Sequence, residues 1–138
     1  MANEAVLMIE LELPIPFTCA DGTGIEKGTL LQLTDPMTVS LSDGAADPIA
    51  GIAAEEKIAS DGKTTIGVYM RGIFRMLSDG TVAIGAGVIA DGTNPNEFIT
   101  ATAAADAMAV FGHSLEAVTD GETGLVYVNV GVGGSPET

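Results

Sequence analysis

The dipeptide Asp-Gly occurs six times in the 138 residues, with short apolar runs between the copies. A type I′ turn needs positive φ at both central residues, so Asp-Gly between apolar runs predicts a β-hairpin. Short strands separated by such turns favour a small barrel or sandwich. The uneven spacing argues against a solenoid or a nonapeptide array. The six turns are expected at Asp21-Gly22, Asp43-Gly44, Asp61-Gly62, Asp79-Gly80, Asp91-Gly92 and Asp120-Gly121.

Nine short strands are predicted between these turns, because each segment is rich in β-branched and aliphatic residues. The chain is therefore expected to be all-β, with residues 18–130 as one barrel domain. The Ala-rich segment 101–109 is the one place where a short helix could form, and a disordered tail is expected over 131–138. The predicted strands are 29–33, 38–41, 49–54, 64–69, 73–77, 88–90, 98–102, 110–115 and 125–130.

Residues 1–17 are expected to form an extended N-terminal arm. From residue 9 onward apolar and acidic residues alternate, which predicts a half-buried strand. Pro14 and Pro16 cannot donate to a central ladder, so this strand belongs at a sheet edge. Two interpretations stay open, an ordinary first edge strand and a strand that contacts another protein chain. The candidate contact residues are Ile9, Leu11, Leu13, Ile15 and Phe17.

The formal net charge is −14, which argues against a nucleic-acid partner because phosphate binding needs a basic face. Cys19 is the only cysteine, so an intrachain disulfide and a Cys-based zinc site are excluded and a buried free thiol is expected. No run approaches about 18 apolar residues and no basic segment opens the chain, so neither a membrane partner nor a signal peptide is expected. The chain is therefore expected to fold in a cytoplasm.

Catalytic motifs are nearly present, but each fails on a particular residue. Residues 85–90 fit G-x-G-x-x-A, yet they run into a predicted strand where a dinucleotide fingerprint must open a helix. His113 and Ser114 are neighbours on a strand and face opposite ways, so they do not form a catalytic pair. His113 has no acid or cysteine at metal-ligand spacing. We therefore predict no enzyme activity, no catalytic residue, no cofactor and no metal.

Lys63 follows the Asp61-Gly62 turn, as the modified lysine of lipoyl and biotinyl carrier domains follows a hairpin turn. The short motif that surrounds that lysine in carriers is missing here. A carrier domain, or another small β-barrel binding module, is the alternative interpretation of the chain.

Five segments in a shared order resemble small capsid decoration (cement) proteins of tailed bacterial and archaeal viruses. Each segment consists of turn glycines and strand residues, such as Lys27-Gly28-Thr29-Leu30 and Gly112-His113-Ser114-Leu115-Glu116. The resemblance covers about residues 20–130, within segments 24–33, 49–53, 66–73, 82–88 and 110–117.

The resemblance implies a small SH3-like or β-tulip barrel that binds the major capsid protein on the outer surface of an icosahedral head. It also implies a homotrimer and a stabilising role in the virion, without catalytic residues. The apolar arm and the high acidity depart from the family pattern.

Overall fold

The computed structural model describes residues 3–44, 47–102 and 109–130, which form eleven β-strands and no α-helix. The all-β fold predicted from the sequence is confirmed. No helix in the described ranges is long and apolar enough to cross a membrane. The strands are β1 (Val6–Glu10), β2 (Ile15–Thr18), β3 (Leu30–Asp35), β4 (Thr38–Leu41), β5 (Ile49–Ala53), β6 (Thr65–Tyr69), β7 (Arg71–Ser78), β8 (Gly87–Ala90), β9 (Glu97–Thr100), β10 (Gly112–Ser114) and β11 (Thr123–Asn129).

All nine predicted strands are present, with ends displaced by at most two residues. The short helix considered for 101–109 falls mostly outside the described residues. The predicted tail 131–138 lies entirely outside them.

The first half of the chain closes into a five-stranded barrel in the order β2-β4-β3-β5-β6. Its neighbours are antiparallel except β2 and β4, which pair in parallel through Thr18 and Thr38. Alternating side chains fill the barrel, because successive residues of a strand point to opposite faces. The inner cluster includes Phe17, Ile66 and Val68 together with the buried free thiol of Cys19.

The second half repeats the same pairing pattern, in the order β7-β11-β10-β8-β9. β9 returns to pair in parallel with the end of β7, just as β4 pairs with β2 in the first barrel. The isolated bridge between Val82 and Val118 corresponds to that between Ile25 and Lys57. Residues 15–130 therefore hold two similar small barrels, because β2 (Ile15–Thr18) is part of the first, and β1 is added to the outer edge of β7.

The two barrels share one apolar cluster. Leu30, Ile52 and Tyr69 belong to strands of the first barrel, yet they pack with Phe74 and Phe98 of the second. The ring of Tyr69 meets that of Phe74 edge to face at 5.8 Å between centroids. This shared packing joins the barrels into one body.

The turn type predicted at the Asp-Gly pairs is wrong. None of the six aspartates has positive φ, whereas Gly62, Gly80 and Gly121 do. Asp21 and Asp120 instead accept a glycine N–H of another loop, as in the 2.8 Å bond from Gly62 N to Asp21 Oδ1. Asp61 and Asp91 accept an N–H of their own turn. Aspartate readily caps backbone donors in this way, which offers an alternative to the type I′ hairpin.

Candidate functional site

An exposed apolar stretch runs along β1 and the connection that follows it. Half of the ten exposed large apolar side chains among the described residues lie in this short stretch. Apolar side chains grouped in this way mark interaction sites more often than scattered ones do. We call these five residues the apolar edge: Val6 (57% exposed), Met8 (49%), Ile9 (52%), Leu11 (45%) and Leu13 (73%).

β1 is fixed to the body of the protein despite this exposure. It pairs antiparallel with β7, and a register shift between Leu7 and Ile9 marks a bulge. Before the strand, Ala5 N donates to Gly28 O at 2.8 Å. At its end, Tyr69 Oη donates to Glu10 Oε2 at 2.9 Å. The apolar edge is therefore held in place before any partner binds.

The side chain of Tyr69 lies at the centre of this anchoring. Burial raises the pKa of Tyr69, and the hydrogen bond to Glu10 raises it further. The phenol therefore stays protonated and continues to donate its hydrogen bond at neutral pH.

The structure separates the five candidate residues of the arm. Ile9, Leu11 and Leu13 lie in the apolar edge. Phe17 is buried in the first barrel, and Ile15 packs partly against the same cluster. The single strand predicted from residue 9 to residue 17 is therefore wrong. Residues 11–14 instead connect β1 of one sheet to β2 of the other, and Pro14 in this connection has no N–H to donate to a ladder. Pro16 lies inside β2, where it pairs with Gly67.

Sequence reasoning missed Val6 and Met8. The predicted alternation begins at residue 9, whereas β1 begins at Val6 and its bulge changes which side chains face outward. The consecutive run Val6-Leu7-Met8-Ile9 was the available signal, since four adjacent apolar residues in a strand place some of them on each face.

The free edge of β1 completes the site. In the described sheet β1 is a terminal strand, bonded only to β7. An edge strand of this kind can accept an added strand from another chain, with backbone hydrogen bonds for affinity and side-chain contacts for specificity. Few of the usual protections are present on β1, which has a bulge but neither lysine nor proline.

A group of carboxylates lies at the end of the second barrel. Single oxygens of Asp79, Asp91 and Glu97 lie within 4.8 Å of one another, a donor set that hard cations prefer. Glu97 Oε2 already accepts a hydrogen bond from Asn3 Nδ2 at 3.3 Å. The charge of Asp91 is the main cause that raises the pKa of Asp79. Burial is the main cause that raises the pKa of Glu97.

The remaining candidates from the sequence lie apart. Ser114 is buried and donates to Glu116 O at 2.6 Å, while His113 of the same strand is exposed on the outer face. The two side chains therefore do not form a nucleophile and base. Lys63 is exposed on the first barrel, with Nζ 3.8 Å from Glu55 Oε1.

A family model described as phage cement protein matches residues 11–130. Among solved structures, the chain resembles the head fiber gp8.5 N base in bacteriophage phi29, at 13% sequence identity and a TM-score of 0.54. The alignment covers 83% of this chain and 92% of that one. The comparison with curated proteins finds no match.

Proposed function

Because the chain belongs to the phage cement protein family, we propose that it decorates the outer surface of an icosahedral head and binds the major capsid protein through its apolar edge. Binding to the virus capsid follows from the family. The family is structural, so the proposal includes no catalytic step. Synthesis in the host cytoplasm precedes attachment to the assembled head.

The observation that carries this proposal is the exposure of five large apolar side chains on an anchored edge strand. In water such a surface is unfavourable, at about 25 cal/mol for each Å² of apolar area left exposed. A capsid protein strand added to β1 would cover that area and pair the free backbone groups. A specific joint needs about 800 Å² on each partner, so neighbouring residues must contribute as well.

The trimer and the stabilising role are the finer parts of the proposal. Three copies related by a cyclic axis present three apolar edges to the shell at once. Several simultaneous contacts raise the apparent affinity by about 10²- to 10⁴-fold without any new contact chemistry. Decorated heads are therefore expected to resist heating better than bare heads.

The test compares two double variants with equal charge changes. Leu11→Glu with Leu13→Glu alters the apolar edge, whereas Ile58→Glu with Ile84→Glu alters two exposed apolar residues elsewhere (67% and 70% exposed). Each variant is mixed with expanded heads of its own virus assembled without the protein, and bound protein is measured by co-sedimentation.

We expect the edge variant to keep its melting temperature and lose head binding by about tenfold or more, because one interface residue at the centre of a contact contributes about 2 kcal/mol. The control variant should bind like the unaltered protein. Equal binding by both variants would contradict the proposed role of the apolar edge.

A further inference from the structure

A second surface lies on the outer side of β7, β11 and β10, directly beside the apolar edge, because Val6 and Ile9 of β1 pair with Arg75 and Ile73 of β7. Strand alternation directs one set of their side chains inward and the other outward. The outward set is half-buried or exposed, and no described strand packs across it. We call it the basic–aromatic face: Arg71, Ile73, Arg75, Leu125, Tyr127 and His113.

Tyr127 is at the centre of this face. Arg71 Nη2 donates to Tyr127 Oη at 2.8 Å, and this bond is the first cause that raises the pKa of Arg71. On the other side, the ring of His113 meets that of Tyr127 edge to face, with centroids 5.3 Å apart. Side chains held in this way lose less rotamer freedom when a partner binds. Tyrosine and arginine are also the residue types enriched at interface hot spots.

The two arginines are the only ones in a chain with 19 acidic residues and a net charge of −14. Lys57 is buried against Asp21 and Asp61, and Lys63 is paired with Glu55. Within the described ranges neither arginine forms an ion pair, although the charge of Glu12 raises the pKa of Arg71 slightly. The face therefore holds two of the five basic residues of the chain, neither of them in an ion pair among the described residues, while Lys27 is exposed elsewhere.

We propose that the basic–aromatic face binds the acidic surface of a second copy of this chain. Charge complementarity identifies this occupant, because every copy presents a surface dominated by carboxylates. A two-fold contact centred on the face would place Arg71 and Arg75 against the same arginines. The contact is therefore heterologous, and repeated around an axis it closes into a ring. The inference deepens the trimer of the proposed function and rests on it for the number of copies.

The size of the basic–aromatic face predicts how strongly two copies of the chain associate. The three strands β7, β11 and β10 span about 10 Å, and the eight residues of β7 span about 27 Å. The footprint of roughly 270 Å² is about a third of what a standard interface buries on one partner. Association is therefore expected to be weak and sensitive to salt, since exposed charges are screened within about 10 Å at 0.1 M salt.

The test is sedimentation velocity at protein concentrations up to about 100 µM, at low and at high salt. The test variant is Arg71→Glu with Arg75→Glu. The control is Lys27→Glu with Lys63→Glu, which makes the same change in net charge at exposed lysines outside the face. Thermal melting of each variant verifies that it is folded.

We expect the unaltered protein to associate at low salt and to dissociate at high salt, and the arginine variant to associate at least about tenfold more weakly than the lysine control. A monomer under all conditions would overturn the inference, as would equal association of both variants. Loss of head binding without any change in self-association would assign the face to the shell and also overturn it. The head-binding experiment with the Leu11→Glu and Leu13→Glu variant tests the proposed function separately. The proposed function and the inference about self-association can therefore fail independently.

Discussion

In the first barrel, oxygen atoms from several loop residues surround the ammonium group of Lys57. Its side chain is almost fully buried, and Nζ lies 2.7 Å from Asp21 O, 3.1 Å from Ile58 O and 3.3 Å from Asp61 Oδ1. The corresponding bridge position of the second barrel holds Val118. The barrel pattern itself therefore does not require a lysine at this position. In the first barrel the ammonium group is needed because carbonyl and carboxylate oxygens surround it.

Lys57→Met is expected to lower the free energy of unfolding by about 1.5–3 kcal/mol, because it leaves part-buried acceptors without their cation. Lys63→Met is the matched control, since Lys63 and Glu55 form an exposed pair for which a loss of only about 0–1 kcal/mol is expected. Urea denaturation of both variants measures the difference. A loss below 1 kcal/mol for Lys57→Met would mean that water replaces the ammonium.

Glu97 offers a test of the acidic group in the second barrel. Its pKa is raised in the folded protein, first by burial and then by Asp79, Asp91 and Asp120. The folded state thus binds the proton more tightly than the unfolded chain does. The stabilising contribution of this protonated carboxyl is complete below the unfolded pKa of about 4.3. It falls as the pH rises from that value through the raised pKa of the folded protein.

Glu97→Gln should therefore raise the melting temperature at neutral pH, and the gain should vanish as the pH falls below about 4, where both side chains are uncharged. The control is Glu56→Gln, which removes one charge from an exposed position. Thermal melting as a function of pH measures both. A gain that stays constant across this range would show that packing rather than ionisation is responsible.

At the scale of elements, the sequence was most informative where strands are short and bounded by glycine. All nine predicted strands occur, because β-branched runs between breakers leave the chain few alternatives. The conformation of the Asp-Gly turns was not predictable in the same way. Asp21 and Asp120 each bond a glycine N–H about 40 residues away in sequence, and such non-local partners are invisible to a local pattern.

The same limit applies to the two candidate surfaces. Ile9, Leu11 and Leu13 were identified from alternation, and they are indeed exposed. Ile15 and Phe17 fit the same alternation but are packed into or against the first barrel, because the chain changes sheets between β1 and β2. The pairing of β10, β11 and β7 brings His113, Tyr127 and Arg71 together across 56 residues of sequence, which no local pattern indicates.

At the scale of the whole molecule, the two barrels repeat one pairing pattern, and the first barrel has an inner cluster of its own besides the cluster that both barrels share. The apolar cluster that includes Phe74 and Phe98 also includes Leu30 and Ile52 of the first barrel. Backbone bonds cross the junction as well, such as that from Val130 N to Met70 O at 3.0 Å. An unfolded second barrel would leave the apolar side of the first exposed to water, so neither is expected to be stable alone.

We therefore predict a single cooperative unfolding transition. The chain has two tyrosines, Tyr69 in β6 and Tyr127 in β11, so fluorotyrosine labelling gives one resonance for each barrel. Both resonances should lose their native intensity at the same urea concentration.

The variant Gly112→Ala tests whether damage to the second barrel also lowers the unfolding midpoint of the first. A Cβ at Gly112 would overlap the carbonyl oxygen of Tyr127 on the neighbouring strand, whereas a Cβ at Gly22 would meet no atom within 4 Å. Gly112→Ala should cost about 2–3 kcal/mol and move both resonances to the same lower midpoint, and Gly22→Ala should move neither. Because Tyr69 contacts Phe74 of the second barrel, its resonance would shift if that barrel alone unfolded. Loss of the Tyr127 signal together with a Tyr69 signal that is neither native nor unfolded would therefore show that the barrels are independent units.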